Sequence, residues 1–408
     1  LYGMHWPFKQ HKTSRNIKTL PYHDELKSFG ACFGVSGGYE RPMWFALDGE
    51  KTEYEYSYNY QNWYPSAEYE TNNTIKNVGL FDLTPFSKFE IKSDNAHKEL
   101  QKICTANIKN EAGKCVYTHM LNPDGGIETD LTVVCIEKDH FRIISSAATR
   151  ERDKFHINKH LAKDVELKDV TDDYCVFGVF GPKSRALMKS ISKDNFENDN
   201  FRFSTAKYIT IDGIKIWTQR LSYVGELGYE LYVKSENAKK IYELLVNKGK
   251  DFNLSNCGMH AMDIMRMESG FLHWGHDISP EENQYQAGLS FTISSKKKDE
   301  FIGKKALEKI KKEKIKSRFA MFTLKDSKPG EPLLLHDEPI YLENKIIGRS
   351  TSGNYSFNFR KNLTFGYINN DISNDELHKK DLFIEVEKKK YPIEVINKPL
   401  KLTNFKNN

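Results

Sequence analysis

The chain of 408 residues lacks the motifs that mark several common cofactor and hydrolase sites. It contains no G-x-G-x-x-G and no G-x-x-x-x-G-K-[ST], which excludes a standard dinucleotide-binding unit and a P-loop from these residues. H-E-x-x-H does not occur, and the G-x-S-x-G at residues 34–38 lies where glycines and aromatics indicate a hairpin or bulged strand, not the strand-to-helix elbow of a serine hydrolase. The commonest serine hydrolases and zinc proteases are therefore excluded as well. Any chemistry must therefore be carried by residues outside these motifs.

Patterns typical of disulfides and metal sites are also missing. The six cysteines form no C-x-x-C pair, and His260, His273 and His276 do not share the i, i+4 face that a metal pair would use. We therefore predict buried free thiols in a reducing compartment and no metal site. That compartment would be the cytoplasm, or the mitochondrial matrix in a eukaryote.

Long apolar runs and a strong excess of charge are absent too. No apolar run approaches the ~18 residues of a membrane span. The formal net charge of +5 comes from 61 basic and 56 acidic residues, a balance that does not indicate a nucleic-acid-binding protein. We predict a small-molecule ligand and neither a membrane nor a nucleic-acid partner.

The pattern of elements predicts an α+β fold of two or three domains. Strands and helices follow in mixed order without regular βαβ alternation. From Phe319 onward there are only short strands parted by turn residues, which predicts a separate small β-barrel or sandwich with its boundary near 312–318. The predicted strands are 115–120, 130–136, 141–146, 206–219 and 228–233, and the predicted helices are 65–77, 95–105, 149–162, 236–248 and 258–272.

An aspartate stands inside one of these strands. In "NPDGGIETDLTVV", residues 122–134, a turn sequence leads into an apolar strand that contains Asp130. A carboxylate in such a strand requires a partner or a function, because an unpaired buried charge is costly. Strand alternation places Asp130 and Thr132 on one face, towards the region that Tyr117 of "CVYTHML" would line.

A second group of polar and aromatic residues follows in "QRLSYVGELGYELYV". Alternation puts Glu230 and Tyr232 on one face of a strand, shortly after Tyr223. Together they suit a flat, nitrogen-rich ring, because tyrosines can stack on it and a carboxylate can accept paired N–H donors. The alternative is structural: tyrosines with satisfied hydroxyls in the core, and an ion pair between Glu230 and Arg220.

Taken together, the motifs resemble the tetrahydrofolate-dependent aminomethyltransferase family of the glycine cleavage T-protein, and most closely the carboxy-terminal half of dimethylglycine and sarcosine dehydrogenases. The resemblance implies three domains packed as a ring around a folate channel, with a small barrel last. It implies a folate-binding region of two subdomains at 26–315 and the barrel at 316–408. The segments that carry it, in chain order, include "GGYERPMWFA", "VGLFDLTPFSKFEI", "GGIETDLTVV", "FGPKSRAL", "SYVGELGYELYV", "AMDIMRMESGFLHWGHDISP", "FIGKKAL" and "GRSTSGNYS".

Residue by residue, the resemblance implies that Asp130 is the catalytic aspartate. The positions expected to contact the pterin are Tyr117, Thr132, Tyr223, Glu230 and Tyr232, and a further polar position falls near Ser146.

The amino-terminal stretch resembles the dehydrogenase members, in which a flavin-bearing amine oxidase domain comes first. The resemblance implies that residues 1–25 are a linker after such a domain, and that FAD belongs to that domain as a partner upstream. Met262 agrees with this subclass, since the T-protein proper usually has Arg at the matching position.

The implied reaction is capture of the methylene of an iminium, derived from dimethylglycine or sarcosine, as 5,10-methylenetetrahydrofolate. One alternative is a folate-dependent S-methyl demethylase on the same scaffold. Another is a non-catalytic folate-binding regulatory module, although such relatives usually lack the catalytic aspartate. The sequence leaves open the donor amine and the oligomeric state.

Overall fold

The computed structural model describes residues 6–297 and 299–402. Most helices are short and lie between or beside strands. They are α1 (His23–Ser28), α2 (Tyr64–Lys76), α3 (Ala96–Ile103), α4 (Arg150–His160), α5 (Ser184–Ile191), α6 (Ala238–Gly249), α7 (Met259–Glu268), α8 (Lys304–Lys312) and α9 (Asn374–Lys379).

Nineteen strands lie in the described part of the chain. The first thirteen are β1 (Ala31–Ser36), β2 (Tyr39–Phe45), β3 (Val78–Asp82), β4 (Ser87–Lys92), β5 (Cys115–Leu121), β6 (Ile127–Glu137), β7 (His140–Ser145), β8 (Leu167–Asp169), β9 (Tyr174–Phe180), β10 (Ala206–Ile211), β11 (Ile214–Gln219), β12 (Gly228–Lys234) and β13 (Leu254–Cys257). The rest are β14 (Ser317–Leu324), β15 (Pro339–Leu342), β16 (Lys345–Ser356), β17 (Lys361–Asn369), β18 (Leu382–Val386) and β19 (Lys389–Ile396).

These strands form two large sheets, a barrel and one hairpin. The five-stranded sheet has the order β5-β6-β7-β4-β8, and the six-stranded sheet has the order β10-β11-β12-β9-β3-β13. The last six strands close a barrel in the order β14-β17-β16-β15-β18-β19, while β1 and β2 pair with each other. The α+β class and the carboxy-terminal barrel are thus confirmed.

The two large sheets share a hydrophobic core. It joins Cys115 and Val134 of the five-stranded sheet to Val176, Trp217 and Tyr232 of the six-stranded sheet. The opposite face of the five-stranded sheet packs on α3 in a core of its own. One face of each sheet therefore looks towards the other, and side chains on those faces can meet.

Contacts among the sheets and the barrel close a ring. Glu268 at the end of α7 accepts a hydrogen bond from Ser356 of the barrel at 2.6 Å. The segment between α7 and α8 contacts both the five-stranded sheet and the barrel. Trp274 donates to the Ile127 carbonyl of β6 at 3.1 Å, and Asp277 accepts from Thr351 of β16 at 2.6 Å. The two large sheets and the barrel thus all contact one another, directly or through this segment.

Two predicted elements differ from the structure. The strand predicted over 206–219 is a hairpin, because Asp212 and Gly213 both have positive φ values, 47° and 77°, and reverse the chain between β10 and β11. The helix predicted over 258–272 ends at Glu268, since Gly270 has φ of 73° and cannot continue it. The other predicted helices and strands agree to within a few residues.

Residues before α1 are anchored to the hairpin. The Arg15 guanidinium pairs with the buried carboxylate of Glu40 at 2.6 Å, and Leu20 and Tyr22 are buried in the core of the six-stranded sheet. The division into 1–25, 26–315 and 316–408 remains a prediction. No helix in the described ranges is both long and apolar enough to cross a membrane.

Candidate active site

The turn before β6 is held by its own side chains and by a neighbouring loop. The Asn122 Oδ1 accepts hydrogen bonds from the backbone N–H groups of Asp124 and Gly126, at 3.0 and 2.9 Å. Gly125 has φ of 89°, a conformation that suits glycine. A Cβ on Gly126 would lie 1.9 Å from the Pro280 carbonyl oxygen, so only glycine fits this contact.

The pairing of β5 with β6 places the predicted residues on one face. Tyr117 lies opposite Thr132, and His119 lies opposite Asp130. The intervening Leu131 belongs to the core on the other face. The predicted common face of Asp130 and Thr132 is therefore present, and it looks towards the six-stranded sheet.

Asp130 is only partly exposed and has no cationic partner among the described residues. Its Oδ2 accepts a hydrogen bond from the Tyr117 hydroxyl at 3.3 Å. Burial raises the pKa of Asp130 to about 7, and the nearby Asp153 carboxylate adds to the rise. Asp153 is itself buried, and its Oδ2 accepts from the Thr149 hydroxyl at 2.7 Å. At neutral pH Asp130 can therefore both accept and release a proton.

His119 also belongs to this group, although the motif reading missed it. Its Nε2 lies 3.3 Å from the Tyr117 hydroxyl, and its Nδ1 lies 2.9 Å from Thr292 Oγ1. Burial lowers the pKa of His119 to about 3, so the ring is neutral. The signal was present in the sequence, because residues 117 and 119 share a strand face.

Glu230 occupies the facing sheet. The Tyr232 hydroxyl donates to its Oε2 at 3.0 Å, as the predicted common face requires. Burial raises the pKa of Glu230 to about 7. Tyr232, on the same strand face, packs in the core shared with Cys115 and Val134, so this face looks towards the five-stranded sheet. The alternative ion pair with Arg220 is not formed, and Arg220 instead donates to the Phe201 carbonyl at 2.6 Å.

The other predicted site residues, Tyr223, Tyr232 and Ser146, lie in different surroundings. The Tyr223 hydroxyl donates to the Leu272 carbonyl at 2.9 Å, and its ring stacks on Phe271. Tyr232 is 3% exposed and lies under the Arg142 guanidinium, so it supports Glu230 more than it offers a free face. Ser146 follows β7, and its backbone carbonyl accepts from the Ser87 hydroxyl at 2.9 Å.

We call the space between the facing sheets the intersheet cleft, lined by Tyr117, Asp130, Thr132, Tyr223 and Glu230. The Tyr117 side chain is 38% exposed although it faces inward, which shows that the space is not filled by protein. Glu230 Oε1 has no hydrogen-bond partner among the described residues. A partly open aromatic ring and a carboxylate with a free oxygen fit a flat ligand that carries N–H donors.

Comparison with known families agrees with this arrangement. Residues 22–297 match the GCVT N-terminal domain, and residues 318–401 match the glycine cleavage T-protein C-terminal barrel domain. The chain belongs to the glycine cleavage T-protein family. Aminomethyltransferase T of the glycine cleavage system from Bartonella henselae has the same fold, with a TM-score of 0.80 at 21% identity over 94% of this chain and 98% of that one.

Two curated relatives are similar over almost all of the T-protein family chain. A 4-methylaminobutanoate oxidase (formaldehyde-forming) from Paenarthrobacter nicotinovorans is 35% identical over 98% of this chain and 48% of its own length. The mitochondrial dimethylglycine dehydrogenase of Rattus norvegicus is 33% identical over 91% of this chain and 43% of its own. The chain thus spans less than half the length of these two relatives.

Proposed function

We propose that this T-protein family member transfers a one-carbon unit to tetrahydrofolate. The donor would be an iminium formed by oxidation of an N-methylated amine such as dimethylglycine or sarcosine, and the product would be 5,10-methylenetetrahydrofolate. The observation that carries the proposal is that the two facing sheets each present a partly buried carboxyl with a pKa of about 7, Asp130 and Glu230, and that Glu230 has one oxygen free.

Asp130 would handle charge and protons. Bound tetrahydrofolate would supply two secondary amine nitrogens as acceptors of the carbon. The Asp130 carboxylate would stabilise the cationic donor and accept at Oδ2 the proton that a nitrogen loses when it bonds to carbon. Asp130 would return that proton to the departing amine, accept a second proton when the other nitrogen bonds to the carbon, and release it to solvent, so it ends the cycle as it began. Its pKa of about 7 suits both steps at neutral pH.

Glu230 would hold and orient the ligand. Its oxygens can accept two N–H donors from one edge of a pterin, while Tyr117 offers an open aromatic face. Thr132, Tyr223, Tyr232 and Ser146 remain predicted contacts. The residues that line the cleft are partly exposed, so a bound folate would have to cover the donor carbon to protect an iminium from hydrolysis to formaldehyde.

The donor would be produced by a separate flavin-dependent amine oxidase domain. In support, both curated relatives are more than twice as long as the matched region and carry oxidase or dehydrogenase in their names. FAD would belong to that domain. The predicted reducing compartment agrees with the six buried free cysteines.

The test is direct transfer by the purified chain. Tetrahydrofolate and a [13C]methylene iminium donor, made from [13C]formaldehyde and a secondary amine, are followed by NMR against a protein-free background. We expect transfer to tetrahydrofolate above background with N-methyl-type donors and none with S-methyl donors. Folate binding without transfer would instead support a regulatory module, and transfer from sulfur would support a demethylase.

A further inference from the structure

The hydrogen bonds around His119 determine where its ring protons lie. Thr292 has one hydroxyl proton, which it donates to the Leu289 carbonyl at 2.7 Å. Thr292 Oγ1 can therefore only accept from His119 Nδ1, 2.9 Å away. His119 is completely buried, and burial lowers its pKa, so the ring is neutral with its proton on Nδ1. Its Nε2 is then an acceptor directed at the Tyr117 hydroxyl.

Tyr117 consequently has two acceptors for one proton. Its hydroxyl lies 3.3 Å from His119 Nε2 and 3.3 Å from Asp130 Oδ2. When Asp130 is ionised, the phenol donates to the carboxylate. When Asp130 is protonated, the acid donates to the phenol oxygen, and the phenol donates to His119 Nε2.

We propose that His119 is a positioning residue that acts through Tyr117 to stabilise the protonated form of Asp130. This inference rests on the proposed role of Asp130 and adds a residue to it. Without an acceptor at position 119, the phenol has a good acceptor only while Asp130 is ionised. A buried hydroxyl without an acceptor is unfavourable, so the loss of His119 Nε2 would disfavour protonated Asp130.

Other titratable groups also lie near Asp130 and contribute to its pKa. The Asp153 carboxylate of α4 raises the Asp130 pKa, and the Tyr223 hydroxyl lies near both Asp130 and Tyr117. The His119 ring hydrogen-bonds to Tyr117 and Thr292 and to neither of these groups, so changes at position 119 should reach Asp130 through Tyr117.

Two substitutions at position 119 test the contributions of Nδ1 and Nε2 separately. In His119→Asn the side-chain amide can still donate to Thr292 but does not reach Tyr117. In His119→Gln the longer side chain brings an amide oxygen to the position of Nε2. We expect the Asp130 pKa, measured by 13C NMR of carboxyl-labelled protein without folate, to fall by about 1 pH unit in the Asn variant. The Gln variant should restore most of that shift.

A double-mutant cycle with Tyr117→Phe tests the route. In the Tyr117→Phe background the Asn substitution should shift the Asp130 pKa no further, since the connecting hydroxyl is gone. Thermal unfolding and the amide NMR spectrum of each variant identify any variant that does not fold. In that case Thr292→Val is a second test, because without the Thr292 hydroxyl the proton is no longer fixed on His119 Nδ1, which weakens Nε2 as an acceptor.

The Asp130 pKa in these variants tests the role of His119 independently of carbon transfer. An unchanged Asp130 pKa in folded His119→Asn, or an equal shift with and without the Tyr117 hydroxyl, would overturn the role of His119 whether or not the chain transfers carbon. If the wild-type chain transfers carbon, the acid limb of its rate profile should move to lower pH in His119→Asn with little change in folate affinity.

Discussion

At the residue scale, Asp130 and Glu230 differ in what surrounds them. Both carboxyls have a pKa raised to about 7 by burial. Asp130 also experiences the Asp153 carboxylate and shares Tyr117 with His119, a setting suited to proton exchange. Glu230 is bonded to a single tyrosine hydroxyl and keeps one oxygen free, a setting suited to ligand recognition.

Glu230 should therefore be needed for affinity more than for chemistry. We expect Glu230→Ala to weaken tetrahydrofolate binding by at least ~1.5 kcal/mol, roughly tenfold, because charge-assisted hydrogen bonds to the ligand are lost. Isothermal titration calorimetry measures this. The matched control is Glu226→Gln, since the Glu226 carboxylate pairs with Lys401 outside the cleft. Equal effects of the two substitutions would remove Glu230 from the binding site.

The sequence predicts which site residues share a face when they lie on one strand, but not when only tertiary packing brings them together. Strand alternation correctly placed Asp130 with Thr132 and Glu230 with Tyr232, because each pair belongs to one strand. The same rule could have added His119. Asp153 was not predictable in this way, since only the packing of α4 brings it towards Asp130.

At the scale of elements, the turn before β6 positions the strand face that carries Asp130. Its Asn122 side chain closes the turn, and Gly126 lies against the Pro280 carbonyl in the segment between α7 and α8. A shift of this turn would change the register of β6, and a one-residue slip would turn Asp130 to the other face. Turn chemistry was visible in the sequence, whereas the contact with Pro280 was not.

We therefore expect Gly126→Ala to reduce both stability and transfer. The added methyl group overlaps the Pro280 carbonyl, which should cost about 1–3 kcal/mol and displace the start of β6. Urea unfolding and the transfer rate measure the two effects. The matched control is Gly213→Ala in the β10–β11 turn, where no atom lies within 4 Å of an added Cβ, although its φ of 77° carries a backbone cost. Similar transfer rates in the two variants would contradict a positioning role for the turn.

At the scale of the whole molecule, one buried guanidinium joins the barrel to the rest of the ring. Arg266 of α7 pairs with Asp263 and with Asp277, and it also donates to the Ser352 hydroxyl of β16 at 2.9 Å. Glu268 at the end of α7 accepts hydrogen bonds from Ser356 and Asn358, which supply neutral donors.

Removal of this arginine should destabilise the ring strongly. We expect Arg266→Met to lower the free energy of unfolding by about 3–5 kcal/mol, because Asp277 is left buried without its cation. Arg349→Met is the control, since the Arg349–Asp337 pair is about half exposed on both sides and should contribute less than about 1 kcal/mol. Denaturant unfolding followed by tryptophan fluorescence compares them. A small, equal loss in both variants would show that the buried pair does not hold the barrel in place.

In the proposed reaction, Asp130 performs the proton chemistry of carbon transfer. The most direct measurement compares tetrahydrofolate affinity by calorimetry with the rate of methylene transfer in Asp130→Asn. The exposed Asp124→Asn in the preceding turn is the control. We predict near-normal affinity and loss of transfer in Asp130→Asn, with both properties retained in the control. Full turnover by Asp130→Asn would show that the Asp130 carboxylate is not needed for carbon transfer.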